Sequence, residues 1–171
     1  ATRDLSGYMG RLVARTGEPV VRQALRHAMR VLGRQFVMGR SIEEALQRSR
    51  TGDNAHYRYS FDMLGEGALT QKDAERYLQA YRDAIKAIGA GGPYPDVFAA
   101  PSISVKLSAL HPRYEFNQRA RVLAELQPAV LELAQLAKAQ GIGFTIDAEE
   151  SERLELSLEV IAGVFADPSL D

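Results

Sequence analysis

Three short stretches of this chain alternate polar and apolar residues with a period of two, and each is followed by apolar residues at helical spacing. In 57–63, Arg58, Ser60 and Asp62 oppose Tyr57, Tyr59 and Phe61. In 102–108, Ser102, Ser104, Lys106 and Ser108 oppose Ile103, Val105 and Leu107. In 143–148, Thr145 and Asp147 oppose Phe144 and Ile146. Side chains alternate across a strand, so each stretch predicts a strand with one greasy and one polar face. After the first, Leu64-Gly65-Glu66-Gly67 makes a loop and Thr70 opens a helix with Asp73 three residues on. Ala74, Tyr77, Leu78, Tyr81, Ile85 and Ile88 share its apolar face, and residues 89–93 stop it. After the second, Val122, Leu123, Leu126, Val130, Leu131 and Leu133 keep helical spacing. Pro128 is expected to divide or kink that helix, and Gly141 to end it. After the third, Ser151 is expected to cap a helix carrying Leu154, Leu158, Ile161, Val164 and Phe165.

Consecutive strand–helix units imply parallel strands joined by right-handed crossovers, so the chain predicts an α/β fold. The polar faces then discriminate between α/β architectures. Strands of a doubly wound sheet are covered on both sides and run apolar throughout. A closed barrel instead turns one face toward an interior that can hold a ligand, with active sites at the C-terminal strand ends. Asp62, Lys106 and Asp147 each lie at that end of their strand's polar face. The expectation is a (β/α)8 TIM-like barrel. Such a barrel takes eight units and about 250 residues. Residues 57–171 are therefore expected to form its first three units, an incomplete barrel, and residues 1–56 an N-terminal helical arm.

In the arm, Gly17 to Gly33 predicts a helix with Pro19 in its first turn and a stripe of Val20, Val21, Ala24, Leu25, Ala28 and Leu32. Ser41-Ile42-Glu43-Glu44 reads as a capping box opening a second helix, the serine oxygen accepting the Glu44 amide and the glutamate side chain returning to the serine amide. Residues 1–56 hold ten arginines against five acids, whereas the remainder is acidic and the whole carries a net charge of −1. Arg22, Arg26 and Arg30 recur every four residues, which predicts a solvated face that also pairs with the acidic body; no nucleic acid contact is expected from it. The absence of cysteine excludes disulfides, cysteine nucleophiles and zinc–thiolate sites. No apolar run approaches the roughly 20 residues of a membrane span, and no signal core is visible, so a cytoplasmic location is expected.

A lysine on an interior face is rarely there for packing, because burying an unpaired ammonium is costly. Lys106 can form a Schiff base with a carbonyl or PLP, hold an anionic substrate, tune a cofactor, or only knit the barrel through an ion pair with Asp62 and Asp147. Asp62, Asp147 and Glu149 offer carboxylates to a divalent metal, but the neighbouring lysine opposes a cation and no metal is expected. His111 lies on a loop where a general base can sit, although a structural contact is its expected role. His27 and His56 are expected to be structural, and Tyr57, Tyr59, Tyr77 and Tyr81 to pack in the core. No P-loop, GxGxxG or GxSxG motif is present.

The stretches FVMGRSIEEAL, YRYSFDMLGEGALT, ISVKLSALHPRYE and FTIDAEESERLELSLEV resemble the proline dehydrogenase domain of bacterial bifunctional proline utilisation flavoproteins, in which proline dehydrogenase is fused to a pyrroline-5-carboxylate dehydrogenase. The likeness runs from about Gly17 to near the end. It implies a distorted barrel that binds FAD and oxidises L-proline to Δ1-pyrroline-5-carboxylate, the first step of proline catabolism. Hydride would pass to the flavin N5 and electrons to a membrane quinone, with the parent enzyme peripheral to the inner membrane. By this resemblance Lys106 matches a lysine that helps hold the proline carboxylate near the flavin. Asp147 matches an aspartate beside the flavin and its ribityl chain that joins the ion pairing of the substrate site. Ala148 follows it along the cofactor, and Asp62 matches a first-strand acid near the active site.

The later strands with most flavin contacts, the paired arginines that clamp the substrate carboxylate, the DNA-binding module and the aldehyde dehydrogenase domain are all expected to lie outside this chain. Alone, it is expected to bind FAD weakly or not at all and to need the missing remainder of the barrel as its partner. Two alternatives stand beside this reading. One is a lysine Schiff-base barrel such as an aldolase, and the other an inactive arm-plus-partial-barrel that associates with itself.

Overall fold

The computed structural model describes residues 2–64 and 67–171, and the chain divides into two compact units, Ala1–Arg48 and Ser49–Asp171. In the first unit, α1 (Thr2–Phe36) is interrupted at Gly17, whose φ of 75° and ψ of 148° are not helical. Glycine adopts a positive φ at little cost, and Pro19, locked near the helical φ, restarts the helix two residues on. The stripe expected on this helix is not buried: Val20, Leu25 and Leu32 are each more than half exposed. Arg22 pairs with Glu18 in its own helix. Arg48 serves the other end of α1, donating to the carbonyls of Arg34, Val37 and Met38 at 3.0, 3.1 and 3.3 Å, where a cation opposes the negative end of the helix dipole. In α2 (Ile42–Ser49), Ser41 Oγ accepts the Glu44 N–H at 3.4 Å, as expected. The return arm of the expected box is displaced by one residue. Glu44 Oε2 accepts from the N–H and Nε of Arg40, both at 3.1 Å, because the guanidinium draws the carboxylate past Ser41.

The second unit holds β1 (Ser60–Asp62), α3 (Gln71–Gly89), β2 (Ser102–Val105), α4 (Leu107–Leu110), α5 (Arg119–Ala139), β3 (Gly143–Ile146) and α6 (Leu154–Phe165). The strands form a parallel sheet in the order β1-β2-β3. Its register aligns Ser60 with Ser102 and Gly143, Phe61 with Ile103 and Phe144, and Asp62 with Ser104 and Thr145. The predicted alternation therefore holds across all three strands. Helices α3 and α5 pack on the sheet and on each other, and Phe61, Ile103 and Val105 are buried. Gly143 admits no side chain, since a Cβ there would lie 2.8 Å from that of Ser102.

All three strands are shorter than the alternation suggested, β3 ending at Ile146. Residues 52–56 form a 3-10 turn, leaving Tyr57 69% exposed rather than in the core. At the other end of the sheet, β2 gives way to α4 at Leu107, so Ser108 is not on the strand's polar face. Gly65 and Glu66 of the expected loop lie outside the described residues.

The helix ends follow local chemistry. At α3, Thr70 Oγ1 accepts the Asp73 N–H at 3.1 Å and Asp73 Oδ2 accepts the Thr70 N–H at 3.0 Å, a complete capping box. α5 is not divided by Pro128. Pro128 and Ala124 lie on the exposed side, so the carbonyl that loses its intrahelical partner can bond water. Gly141, at φ 67°, ends α5 as expected: the N–H groups of Gly141 and Ile142 return to the carbonyls of Lys138 and Ala137 at 3.0 and 3.1 Å. Ser151 does not cap α6; it opens a separate 3-10 turn, Ser151–Arg153. α6 packs on α5 and buries Leu156, Val160 and Val164, while Leu154, Leu158 and Phe165 of the expected stripe are exposed. The helix is apolar on more than one face, and spacing alone does not choose between the faces. No helix among the described residues is long and apolar enough to cross a membrane.

Arg82 of α3 grips Glu132 of α5 with two parallel hydrogen bonds of 2.6 and 2.7 Å. The pair holds the Glu132 carboxyl below its ordinary 4.5, although burial opposes this. Because the folded pKa is depressed, the contact contributes above pH 4.5 and is lost as pH falls through the folded value. Glu132→Gln should lower stability near neutral pH by up to about 1 kcal/mol, the range of solvent-screened pairs. Urea titrations of both proteins should converge in acid; a constant gap down to the acid transition would contradict this role.

Candidate active site

Lys106 follows directly on β2 with extended backbone, φ −97° and ψ 124°, which keeps its side chain on the face of Ser104. Asp147 follows directly on β3, and its N–H donates to the Val105 carbonyl at 3.0 Å, carrying the ladder one step beyond the strand. It thus shares a face with Thr145. Asp62 closes β1 on the same level as Ser104. All three ionisable residues singled out in the sequence meet here. Lys106 Nζ lies 2.7 and 2.6 Å from the two carboxylate oxygens of Asp62 and 3.2 Å from Asp147 Oδ2. Buried Ser104 donates its hydroxyl to Asp147 Oδ1, so the two oxygens of Asp147 serve different partners. The Lys106 side chain is 12% exposed, against 30% for Asp147 and 41% for Asp62.

Burial works against the Lys106 ammonium, but the hydrogen bonds and charges of Asp62 and Asp147 outweigh it and hold the pKa above its ordinary 10.5. The group is therefore a donor-only cation at neutral pH, able to bind a carboxylate or another acceptor and unable to attack a carbonyl without first losing its proton. Ser60, Asp62 and Thr145 on this face are exposed, which leaves room for a ligand beside the ion pair. On the opposite side of β2, the Lys106 N–H donates to the hydroxyl of Tyr81 at 3.1 Å. Tyr81 is 1% exposed, and burial, with the charges of Asp62 and Asp147, pushes its phenol up to about 12.

Other expected residues fall elsewhere. Glu149 does not join the aspartates: its carboxylate accepts the Ser108 N–H at 3.0 Å and the Ser108 hydroxyl, and so caps the first turn of α4. Lys106 Nζ itself sits between Asp62 and Asp147, where a metal would have to lie. Ala148 is exposed, next to Asp147 beyond the end of β3. His111 makes the structural contact expected of it. It is 3% exposed, its Nδ1 accepts the Arg113 N–H at 3.1 Å, and Nε2 lies 3.2 Å from Glu125 Oε2. With Nδ1 accepting, Nε2 carries the proton toward Glu125. Tyr81 was legible only as a core residue, and the links of Ser104 to Asp147 and Ser108 to Glu149 join residues 43 and 41 positions apart, beyond any local pattern.

Residues 45–171 match the family described as proline dehydrogenase. The chain belongs to the proline dehydrogenase family. Residues 1–36 match a second family, described as the DNA-binding domain of proline dehydrogenase. The expectation that this module lies outside the chain is corrected accordingly; in the sequence its arginines show only the spacing of a solvated helix face. The chain is 46% identical over 166 residues to the bifunctional protein PutA of Escherichia coli (strain K12), covering 97% of this chain and 13% of that protein. It is 48% identical over 172 residues to its namesake from Rhizobium meliloti, covering 98% and 13%. A crystal structure of a Bradyrhizobium japonicum proline utilization A (PutA) variant aligns with a TM-score of 0.73 at 57% identity, over 95% of this chain and 16% of that one. The chain thus spans about an eighth of the length of these curated relatives.

Proposed function

We propose that this chain carries the first part of a flavin-dependent proline dehydrogenase that oxidises L-proline to Δ1-pyrroline-5-carboxylate. The observation that carries the reading is the Lys106 ammonium, nearly buried at the C-terminal end of β2 between two carboxylates, in a chain of the proline dehydrogenase family. Residues 1–56 form a helical arm and 57–171 the first three units of a (β/α)8 barrel. The exposed Leu154, Leu158 and Phe165 of α6 suit a further helix packed beside it, and the polar sheet face suits a barrel interior. The enzyme works in the cytoplasm at the inner-membrane surface and passes its electrons to a quinone. Within it, Lys106 binds the substrate carboxylate. Among the described residues the ammonium already meets the carboxylates of Asp62 and Asp147, so one of them must yield part of its hold. Asp62, the more exposed, is the one that yields, and Asp147, anchored by Ser104, stays.

The residues present fit FAD in part. The donors Lys106 and Thr145 on the polar face would suit the polar edge of a flavin, and Asp147 with Ala148 borders that space. When bound, the flavin supplies a hydride acceptor. A protonated Lys106 between two carboxylates disfavours the Schiff-base alternative. The full-length protein containing this segment, loaded with FAD, should lose its flavin absorbance when L-proline is added without oxygen and regain it with a quinone. An unchanged spectrum at saturating proline would reject the reading.

A further inference from the structure

The peptide groups of β2 alternate between its two neighbours. The Ser102 N–H donates to the Tyr59 carbonyl beside β1 at 3.0 Å, whereas the Pro101 and Val105 carbonyls accept from Gly143 and Asp147 on the β3 side at 3.3 and 3.0 Å. Even-numbered residues of β2 therefore face β1, and Lys106 is the next even position. In a parallel ladder its N–H would find the carbonyl of Met63, four residues beyond Tyr59. β1 ends at Asp62, and the Lys106 N–H goes instead to the hydroxyl of Tyr81 at 3.1 Å. This tyrosine stands on α3, on the far side of the sheet from the ion pair, with its ring fully in the core.

We infer that Tyr81 is a positioning residue for Lys106, its hydroxyl standing in for the strand carbonyl that β1 does not supply and fixing the peptide from which the lysine reaches its ligands. The inference rests on the proposed binding of the substrate carboxylate by Lys106. A part-buried N–H needs an acceptor, and among the described residues β1 ends before the turn from β2 into α4 and offers none there. The hydroxyl meets this need without a strand, so Asp62 stands at the free end of β1 where it can lean toward Lys106. Only a tyrosine at position 81 reaches across the apolar layer with an oxygen at its tip; phenylalanine fills the same core space and lacks the acceptor.

The test is Tyr81→Phe in the full-length flavoprotein, with Tyr94→Phe as control, since the Tyr94 hydroxyl also serves the backbone, donating to the Ile88 carbonyl at 3.0 Å, away from the site. Hydrogen exchange read by mass spectrometry should show the Lys106 amide opening about tenfold faster in Tyr81→Phe, while the α3 amides stay slow. KM for L-proline and the dissociation constant of tetrahydrofuran-2-carboxylate should both rise about tenfold, with kcat changed less than about threefold. Tyr94→Phe should move none of these. Unchanged exchange at Lys106, unchanged analogue affinity, or an equal effect of Tyr94→Phe would overturn the inference. A wild-type protein inert toward proline would refute the proposed function separately, and the exchange comparison would still decide whether Tyr81 holds Lys106.

Discussion

Lys106→Met in the full-length protein is expected to lower kcat/KM for L-proline by about 100- to 1000-fold, or about 3–4 kcal/mol, with most of the loss in KM. Methionine keeps the apolar stem that crosses from β2 to the polar face and removes only the charge. Two carboxylates then face the substrate carboxylate with no cation among them, so the site repels the anion it held. The effect exceeds that of a surface pair because the Lys106 side chain is 12% exposed, where hydrogen bonds to a charged group are strong. Steady-state kinetics and analogue titration measure it directly, and flavin content reports whether the protein has folded. A KM within threefold of wild type would remove Lys106 from substrate binding. The charge is also robust to pH. Its folded pKa lies above 10.5, so its contribution is complete below 10.5 and lost only as pH rises through the folded value. No alkaline limb near neutrality belongs to this lysine.

The parts of this site that follow a period were visible in the chain, and the parts that depend on where a period stops were not. Asp62, Ser104 and Thr145 fall on one level because three strands alternate in phase, and the same alternation carries Lys106 and Asp147 to neighbouring ends. The alternation gives no warning that β2 turns into α4 at Leu107, which removes Ser108 from the polar face and hands it to Glu149. Nor does it show that β1 ends at Asp62, the event that gives the Tyr81 hydroxyl its task. Helical spacing has the same weakness. It found α6 and marked Val164, which is buried, but it also marked Leu154, Leu158 and Phe165, where the structure buries Leu156 and Val160, because a helix with apolar residues on several faces carries more than one admissible stripe. Pro128 was expected to divide or kink α5 on local grounds; the helix runs through it undivided, and its solvent-facing position lets water take the carbonyl that loses its partner.

The two aspartates beside Lys106 should not be equivalent, and their difference tests the division of labour within the cluster. Asp147→Ala is expected to lower kcat/KM for L-proline about 100-fold, or about 2.7 kcal/mol. Its loss leaves the Ser104 hydroxyl, in a residue only 6% exposed, without its acceptor. It also removes the β3-side carboxylate from Lys106 and leaves the Asp62 contact, which draws the ammonium toward β1 and away from β3. Asp147→Asn keeps an oxygen for Ser104 and should recover part of the loss. Asp62→Ala acts in the other direction on binding. It removes an anion that competes with the substrate for Lys106 and makes the cluster less negative by one charge, so carboxylate affinity should hold or improve while kcat/KM changes by less than about tenfold. Analogue titrations of the three variants separate the roles. If Asp62→Ala weakens carboxylate binding more than Asp147→Ala does, Asp62 is the anchor, and the assignment of the yielding carboxylate reverses.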